Sequence, residues 1–388
     1  MLRRLFSPAE GVSNIELFYD LIFVHCIGVL TSLMGHAQGG FPDVGVWVIY
    51  LFSFLVVLQV WLFTMLLMNR YGERSLADGA CMFVNMFLLY FLANSIHADW
   101  RSTRITFDVS WALILANLIV HWTLKLRRFT NLDEDDRKIM RWNIVTLTIQ
   151  CAIVVISALL PPIQSAFASW AALLLGGAAW RQPKVYKAKP SRFSHIAERC
   201  SLLTIIAFGE IVVSIAPYTT ETSSLVYPVF VFVMVVGLFL IYIFEHDNMI
   251  DHHAQIDGIG YMTITVWVVI VIGTLTVALE YMPMPQISFM PKSLLVVGCL
   301  VAYLLTSFVL GRYHKPEFRY TAKYVAGRLG TCVFIVVIAI VTGFDPLITL
   351  VCDTAAVYFA LWHEWMLYHR RTRELCFGHS LDYTSEDD

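Results

Sequence analysis

The stretch that decides the fold is Val44–Met68, VGVWVIYLFSFLVVLQVWLFTMLLM, which runs for 25 residues without an acidic or basic side chain. A helix of about 20 apolar residues is long enough to cross the hydrocarbon core of a bilayer. Similar apolar runs recur along the whole chain and are separated by short polar segments. The pattern therefore predicts an all-α membrane protein.

The composition excludes a soluble globular protein. Of the 388 residues, 58% are hydrophobic and only 14% are charged, whereas a soluble domain usually carries about 25% charged residues. The formal net charge is −2 and no basic stripe with interleaved aromatic residues occurs, which argues against nucleic-acid binding. The eight cysteines are scattered singly, so neither a disulfide framework nor a zinc site is predicted. We expect no cofactor.

Twelve membrane-spanning helices are predicted from the apolar runs between polar breaks. The spans are 15–35, 44–68, 79–97, 107–124, 142–160, 164–180, 198–216, 225–244, 261–281, 293–311, 326–342 and 346–367. The weakest break is Pro161-Pro162, between the fifth and sixth spans, where one long kinked helix is the alternative. Two spans are favoured there, because together they exceed 35 residues.

The distribution of Lys and Arg predicts the orientation of these spans. If the N-terminus is cytoplasmic, 24 of the 27 Lys and Arg residues fall on the cytoplasmic side, and only Arg101, Arg104 and Lys292 fall outside. Cytoplasmic loops of membrane proteins are enriched in these residues. We therefore expect the N-terminus and the C-terminus to be cytoplasmic.

Patterns that recur at an offset of 179 to 182 residues suggest an internal repeat. Asp78 precedes the third span and Asp257 the ninth, each followed by glycine, while Glu16 and Glu198 open the first and seventh spans. Because each half has an even number of helices, the repeat would be parallel. The pattern predicts two six-helix parallel repeats, at 1–185 and 190–370, and a polar C-terminal tail at 371–388. Chance matching between apolar segments is the alternative.

Two segments carry a resemblance to a known family. Glu16–Val24, ELFYDLIFV, and Glu198–Glu210, ERCSLLTIIAFGE, resemble motifs of the bacterial low temperature requirement A family, and Asn69-Arg70-Tyr71 also fits. The resemblance spans most of the chain through its twelve helices. It implies a multipass protein of the bacterial cytoplasmic (inner) membrane, without implying a reaction or a substrate.

The function predicted from the residues is movement of an ion or small solute by a gradient-driven transporter or channel. A gradient is expected because no P-loop or other nucleotide-binding motif occurs. The expected partners are membrane lipid and the ion or solute itself. Two alternatives remain, a membrane-embedded enzyme that modifies lipid and a membrane sensor or assembly factor. No hydrolase or metalloenzyme motif supports an enzyme.

Asp20 and Glu210 are the main candidates for an ion or proton site, because carboxylates inside a bilayer persist mainly where they have a partner or a task. The functional interpretation places them face to face, one from each half, near Asn85 or His25. The structural alternative is that they accept hydrogen bonds from Asn85, from Thr204 or from a cytoplasmic arginine such as Arg199. The two interpretations are about equally favoured.

Further candidates are weaker. Glu16 lies one helical turn before Asp20 on the same face, and Asp353 lies about seven residues into the last span, where a carboxylate needs a partner. Glu198 and Arg199 are predicted to form structural ion pairs at the membrane edge. A segment rich in His and Asp follows the eighth span and offers His246, Asp251, His252 and His253 as weak metal ligands. A solvated acidic loop is the favoured interpretation of that segment.

Overall fold

Twelve α-helices make up most of the computed structural model over the residues that it describes, which are 12–35, 40–73, 75–129, 132–178, 191–217 and 225–382. The first six are α1 Asn14–Gly35, α2 Val44–Tyr71, α3 Leu76–Asn94, α4 Trp100–Arg128, α5 Glu134–Leu159 and α6 Pro162–Ala178. The second six are α7 Phe193–Ile215, α8 Val226–Phe244, α9 Ile259–Tyr281, α10 Phe289–Leu310, α11 Ala322–Val341 and α12 Pro346–Asp382. Each predicted span coincides with one of these helices.

The last helix is longer than predicted. α12 continues to Asp382, whereas the last span was expected to end at 367. The segment 371–382, predicted as part of a polar tail, is therefore helical, and residues 383–388 of that tail lie outside the described part of the chain.

Capping side chains account for where several helices begin. The hydroxyl of Ser75 accepts from the N–H of Asp78, and the carboxylate of Asp78 accepts from the N–H of Ser75, so α3 opens with a capping box. Asp133 caps α5 and Thr321 caps α11 through single side-chain bonds. α6 begins at Pro162, a position where the missing N–H removes no helical bond, so the proline pair separates two helices.

Ten of the described helices are long and apolar enough to cross a membrane by themselves. The other two are α6, with 17 residues, and α7, which contains three charged side chains, Glu198, Arg199 and Glu210. The length and composition of these helices support the prediction of a multipass membrane protein.

Large apolar side chains are exposed along helix faces, as expected of surfaces that contact lipid. On α6, Ile163, Phe167 and Leu174 share one face and are 75, 74 and 66% exposed. The opposite face of α6 buries Ser165 and Ser169 against Ser157 of α5. Apolar surface of this extent is not left in water by a soluble protein.

The chain divides into two units, whose boundaries lie inside α7 and α9. One unit is Met1–Ala207 with His253–Val266, and the other is Phe208–His252 with Trp267–Asp388. The first unit is organised around α2, which is buried on nearly all sides between Phe52 and Asn69. The predicted repeats divide instead between α6 and α7, and their superposition stays a prediction.

Two loops of the second unit are joined by backbone hydrogen bonds. A π-helical turn, Glu245–Met249, continues α8, and Ile250 forms an isolated β-bridge with His314 in the loop between α10 and α11. The N–H of Lys315 donates to the carbonyl of Met249 at 2.8 Å. This connection holds Glu245 beside the first turns of α11.

Candidate functional site

Asp20 of α1 is bound by a buried arginine of α7. Nε and Nη2 of Arg199 donate to Oδ2 and Oδ1 of Asp20 at 3.2 and 2.5 Å, and the indole N–H of Trp61 donates to Oδ1 at 2.9 Å. Asp20 is 1% exposed and Arg199 is 0% exposed. Because a buried charge is strongly unfavourable without its partner, the pair holds α1, α2 and α7 together. This geometry is the structural alternative that the sequence left open for Asp20.

Glu16 belongs to the same cluster. Its Oε1 lies 3.6 Å from Nη1 of Arg199 and 3.3 Å from Nε2 of His195, and its Oε2 accepts from the hydroxyl of Ser13 at 2.7 Å. The amide nitrogen of Asn69 lies 3.3 Å from Nδ1 of His195 and also donates to a backbone carbonyl at 2.9 Å. Since an amide nitrogen only donates, Nδ1 accepts and Nε2 carries the proton toward Glu16.

The other candidates of the first unit have different environments. Glu198 is exposed and forms no ion pair with the part of the chain that the structure describes, whereas Arg199 pairs with Asp20 and Glu16; the ion pairing of Glu198 stays a prediction. The ring of His25 stacks on Tyr90 with 5.4 Å between centroids. The amide oxygen of Asn85 accepts from Asn117 at 2.7 Å. These contacts join α1 to α3 and α3 to α4.

A buried acid–base group in the first unit was missed by the sequence analysis. Asp78 of α3 lies 3.0 Å from Nε2 of His121 and accepts from Nζ of Lys125 at 2.8 Å. All three side chains are at most 2% exposed. His121 and Lys125 lie four residues apart on one face of α4. This spacing, together with an acid at the start of the preceding helix, is the sequence pattern that could have predicted the group. The group links α3 to α4.

A second missed group surrounds Asp108 of α4, which is 0% exposed. Its Oδ2 accepts from the hydroxyl of Ser157 at 3.1 Å and its Oδ1 from Ser169 at 3.4 Å. Nη1 of Arg104 donates to the carbonyl of Ser157 at 3.0 Å. Hydroxyl side chains that bridge helices in this way are a common means of joining membrane helices.

The second unit contains a cluster in which two acids share one arginine. Nη2 of Arg328 lies 3.1 Å from Oε1 of Glu245 and 2.6 Å from Oε2 of Glu364, and the hydroxyl of Tyr324 donates to Oε1 of Glu245 at 3.0 Å. Arg328, Glu245 and Glu364 are 2, 2 and 0% exposed. With both acids charged the three ionised groups carry a net charge of −1, so this cluster is suited to hold a proton.

Asp353 of α12 is the most isolated acid among the described residues. It is 0% exposed, and neither carboxylate oxygen has a hydrogen-bond partner within the described part of the chain. The sequence predicts a partner for this carboxylate. The described residues supply none by hydrogen bond, and Asp353 lies inside a helix long and apolar enough to span a membrane.

Glu210 of α7 lies in the second unit and is half-buried. Its carboxylate is close enough to Glu280 of α9 to interact with it electrostatically. Asp20 belongs to the first unit, so the predicted pairing of Asp20 with Glu210 around one polar cavity stays a prediction.

The segment rich in His and Asp contains several contacts among its own side chains and backbone. The rings of His246 and His252 lie 4.8 Å apart, Nδ1 of His246 lies 3.0 Å from Asp247, and Nε2 of His252 lies 2.8 Å from the carbonyl of His246. Burial lowers the pKa of His252. The described residues, which include Asp251 and His253, contain no group of three or more metal-type side chains able to hold a metal ion.

Comparison with known proteins identifies the family. Residues 11–366 match the family model described as bacterial low temperature requirement A protein. The chain belongs to this family. Comparisons with curated proteins and with solved structures gave no match.

The segments that resemble motifs of the low temperature requirement A family meet in the first unit. Glu16 and Asp20 come from the first segment and Arg199 from the second, and they form the cluster described above. Asn69 contacts His195, just before the second segment. Glu16, Asp20 and Arg199 of these segments therefore join α1 and α7, and Asn69 adds α2.

Proposed function

We propose that the protein moves a proton or another small cation through its second unit, down an electrochemical gradient. The observation that carries the proposal is Asp353, fully buried in α12 and without a hydrogen-bond partner among the described residues. Acids inside membrane spans are rare and mark ion and proton pathways. An unpaired carboxylate in this environment favours capture of a proton or a cation, which is the property that a carrier site requires.

Glu364 extends the acidic face of α12. It lies 11 residues after Asp353, which corresponds to three turns and about 16 Å along the same face. Val357 and Ala360 occupy the positions between them on that face and are 0 and 4% exposed. These apolar side chains interrupt a continuous water path, which favours a transporter that changes conformation over an open channel.

Glu210 and Glu280 supply negative charge near the C-terminal ends of α7 and α9. Both are half-buried and within electrostatic reach of each other. If successive helices cross the membrane in alternate directions, these ends lie on the side where α12 begins. A negative entrance raises the local concentration of cations, so acids would be present at three depths along the second unit.

The proposal includes the predicted location, with both termini in the cytoplasm and the helices in the bacterial inner membrane. It rests on the segregation of Lys and Arg and on the family. A cysteine at Gln286 should react with an impermeant reagent in intact cells, and a cysteine at Arg312 should not. The reverse labelling would overturn the orientation.

Flux in proteoliposomes tests the function. Vesicles that contain the purified protein and a trapped pH dye are given a potassium diffusion potential, with Na⁺ and K⁺ reporters used in parallel. We expect cation entry above that of protein-free vesicles and a loss of about tenfold or more in Asp353→Asn. Asp345→Asn is the matched control, because it makes the same change on the same helix at an exposed cap. Equal flux in Asp353→Asn and the wild type would overturn the assignment of Asp353.

The rival functions predict other results. A lipid-modifying enzyme would change the mass of membrane lipids, and a sensor or assembly factor would give neither flux nor covalent change. Absence of flux for every cation of the panel, with the protein folded and oriented in the vesicles, would contradict transport.

A further inference from the structure

The second unit contains a cavity of about 400 Å³ between the loop that precedes α11, the first turn of α11 and the far end of the apolar part of α12. Its lining includes Met249, Tyr324 and Tyr368. The volume is in the range of small-molecule sites. None of the acids assigned above to cation movement lines it.

The cavity is strongly basic. Four basic side chains line it, Arg319, Lys323, Arg370 and Arg371, against a single acid, Glu317. Arg319 and Lys323 form no ion pair with a described carboxylate, and Nε of Arg371 donates to the backbone carbonyl of Glu317 at 2.9 Å. The excess of positive charge around one concave space is suited to an anion.

Backbone and aromatic groups complete the lining. Ala322 and Lys323 form the first turn of α11, whose N–H groups have no acceptor within the helix, so the positive end of the helix dipole meets the cavity. The rings of Phe318 and Tyr368 stack at 4.9 Å beside this turn. An apolar wall therefore adjoins an anion-binding wall.

We propose that this cavity binds a phosphate-bearing anion with an apolar or glycerol-like part. Arg319 and Lys323 would contact the phosphate together with the first turn of α11, and Phe318 and Tyr368 would contact the remainder. Arginine and helix N-termini are the usual partners of phosphate oxygens in proteins. The phosphate belongs either to the headgroup of an anionic lipid or to a free phosphorylated molecule.

The position of the cavity is compatible with both sources of phosphate, a lipid headgroup and a free phosphorylated molecule. Leu367 ends the predicted twelfth span, and Arg370 and Arg371 follow three and four residues later, an arrangement typical of residues that meet anionic headgroups. Tyr324 lines the cavity and also donates a hydrogen bond to Glu245. A bound anion would therefore contact a residue that is hydrogen-bonded to the cluster of Glu245, Arg328 and Glu364.

Thermal unfolding of the full-length protein in detergent tests the proposal. Short-chain phosphatidylglycerol is titrated, with phosphatidylcholine as the neutral lipid and glycerol 3-phosphate as the free phosphate. The variant Arg319→Gln/Lys323→Gln removes two cavity charges. Arg312→Gln/Arg373→Gln removes two charges from exposed residues outside the lining and is the matched control. Arg319→Gln alone replaces the double variant if the latter does not purify.

We expect phosphatidylglycerol to raise the unfolding midpoint above that in phosphatidylcholine, and the apparent Kd to rise about tenfold or more in the cavity variant but less than about twofold in the control. Stabilisation by glycerol 3-phosphate with the same dependence would support the site and assign it to a free phosphorylated ligand. No stabilisation by either probe, or an equal loss in the control variant, would overturn the proposal.

Discussion

Arg199 donates through Nε and Nη2 to both carboxylate oxygens of Asp20, at 3.2 and 2.5 Å, with both side chains removed from solvent. A bidentate pair of this kind is among the stronger charge-assisted contacts in proteins. The hydrogen bonds from Arg199 occupy carboxylate lone pairs of Asp20 that would otherwise coordinate a transported cation. The proposed site of cation movement is therefore Asp353, whose oxygens have no such partner among the described residues.

The pairing of Asp20 with Arg199 predicts that Asp20→Asn lowers the stability of the folded protein. Neutralising Asp20 leaves the guanidinium of Arg199 buried without a full partner, which should lower the free energy of unfolding by about 3–5 kcal/mol. Membrane abundance and the thermal unfolding midpoint in detergent measure this. Asp20→Asn/Arg199→Gln should recover part of the loss, and the exposed Glu198→Gln should show none. Wild-type abundance of Asp20→Asn with loss of flux would instead support a transport role.

The helices could be predicted from the sequence because the bilayer fixes their length. A run such as Val44–Met68 has one stable arrangement in lipid, a helix that satisfies its own backbone hydrogen bonds. The extension of α12 to Asp382 could not be predicted in this way, since it runs past the apolar part of the helix.

The contacts between helices could be predicted only in part. Arg199 was named as an ion-pair residue, and Asp20 was left between two roles. Asp78, Asp108 and the Arg328 cluster were missed, because their partners lie on other helices at distances in sequence that no local pattern encodes. Glu245 in particular lies just after the predicted eighth span, and no local pattern indicates its bond to Arg328.

A second prediction concerns the close approach of α6 to two buried glutamines. Nε2 of Gln150 donates to Oε1 of Gln59 at 2.5 Å, and a Cβ at Gly176 would lie 2.6 Å from both side chains. Gly176→Ala should therefore lower the free energy of unfolding by about 1–3 kcal/mol. Gly177→Ala is the matched control, since nothing lies within 4 Å of its added methyl group, and it should be neutral or slightly stabilising. Equal unfolding midpoints for the two variants would contradict this packing.

A third prediction separates function from stability at Asp353. Because an unpartnered buried carboxylate is unfavourable, Asp353→Leu should raise the free energy of unfolding by about 1 kcal/mol or more while abolishing flux. The thermal midpoint and the flux assay are measured on the same preparation. Thr349→Val, a change at another fully buried polar residue of α12 one turn earlier, controls for the added apolar surface. Destabilisation by Asp353→Leu would indicate that Asp353 has a structural partner.

The last prediction concerns pH and His314, which is 5% exposed in the loop between α10 and α11. Burial lowers the pKa of His314, and the charge of Arg328 adds to this, while attraction by Glu245 opposes it. The unfolded chain, with an ordinary histidine pKa of about 6.5, then binds more protons than the folded chain just below that pH. The contribution of neutral, buried His314 to the free energy of unfolding is therefore fully present above about pH 6.5. It decreases as the pH is lowered toward the pKa of His314 in the folded chain.

We expect the thermal unfolding midpoint to fall between about pH 7 and pH 5, and to fall less in His314→Gln. Burial also lowers the pKa of His252 in the adjoining loop, so the slope that remains in His314→Gln should decrease further in His252→Gln/His314→Gln. His369→Gln serves as the control, because His369 is exposed, whereas His314 is buried. A pH slope that is the same in His314→Gln as in the wild type would show that the charge of this buried imidazole does not limit stability in that range.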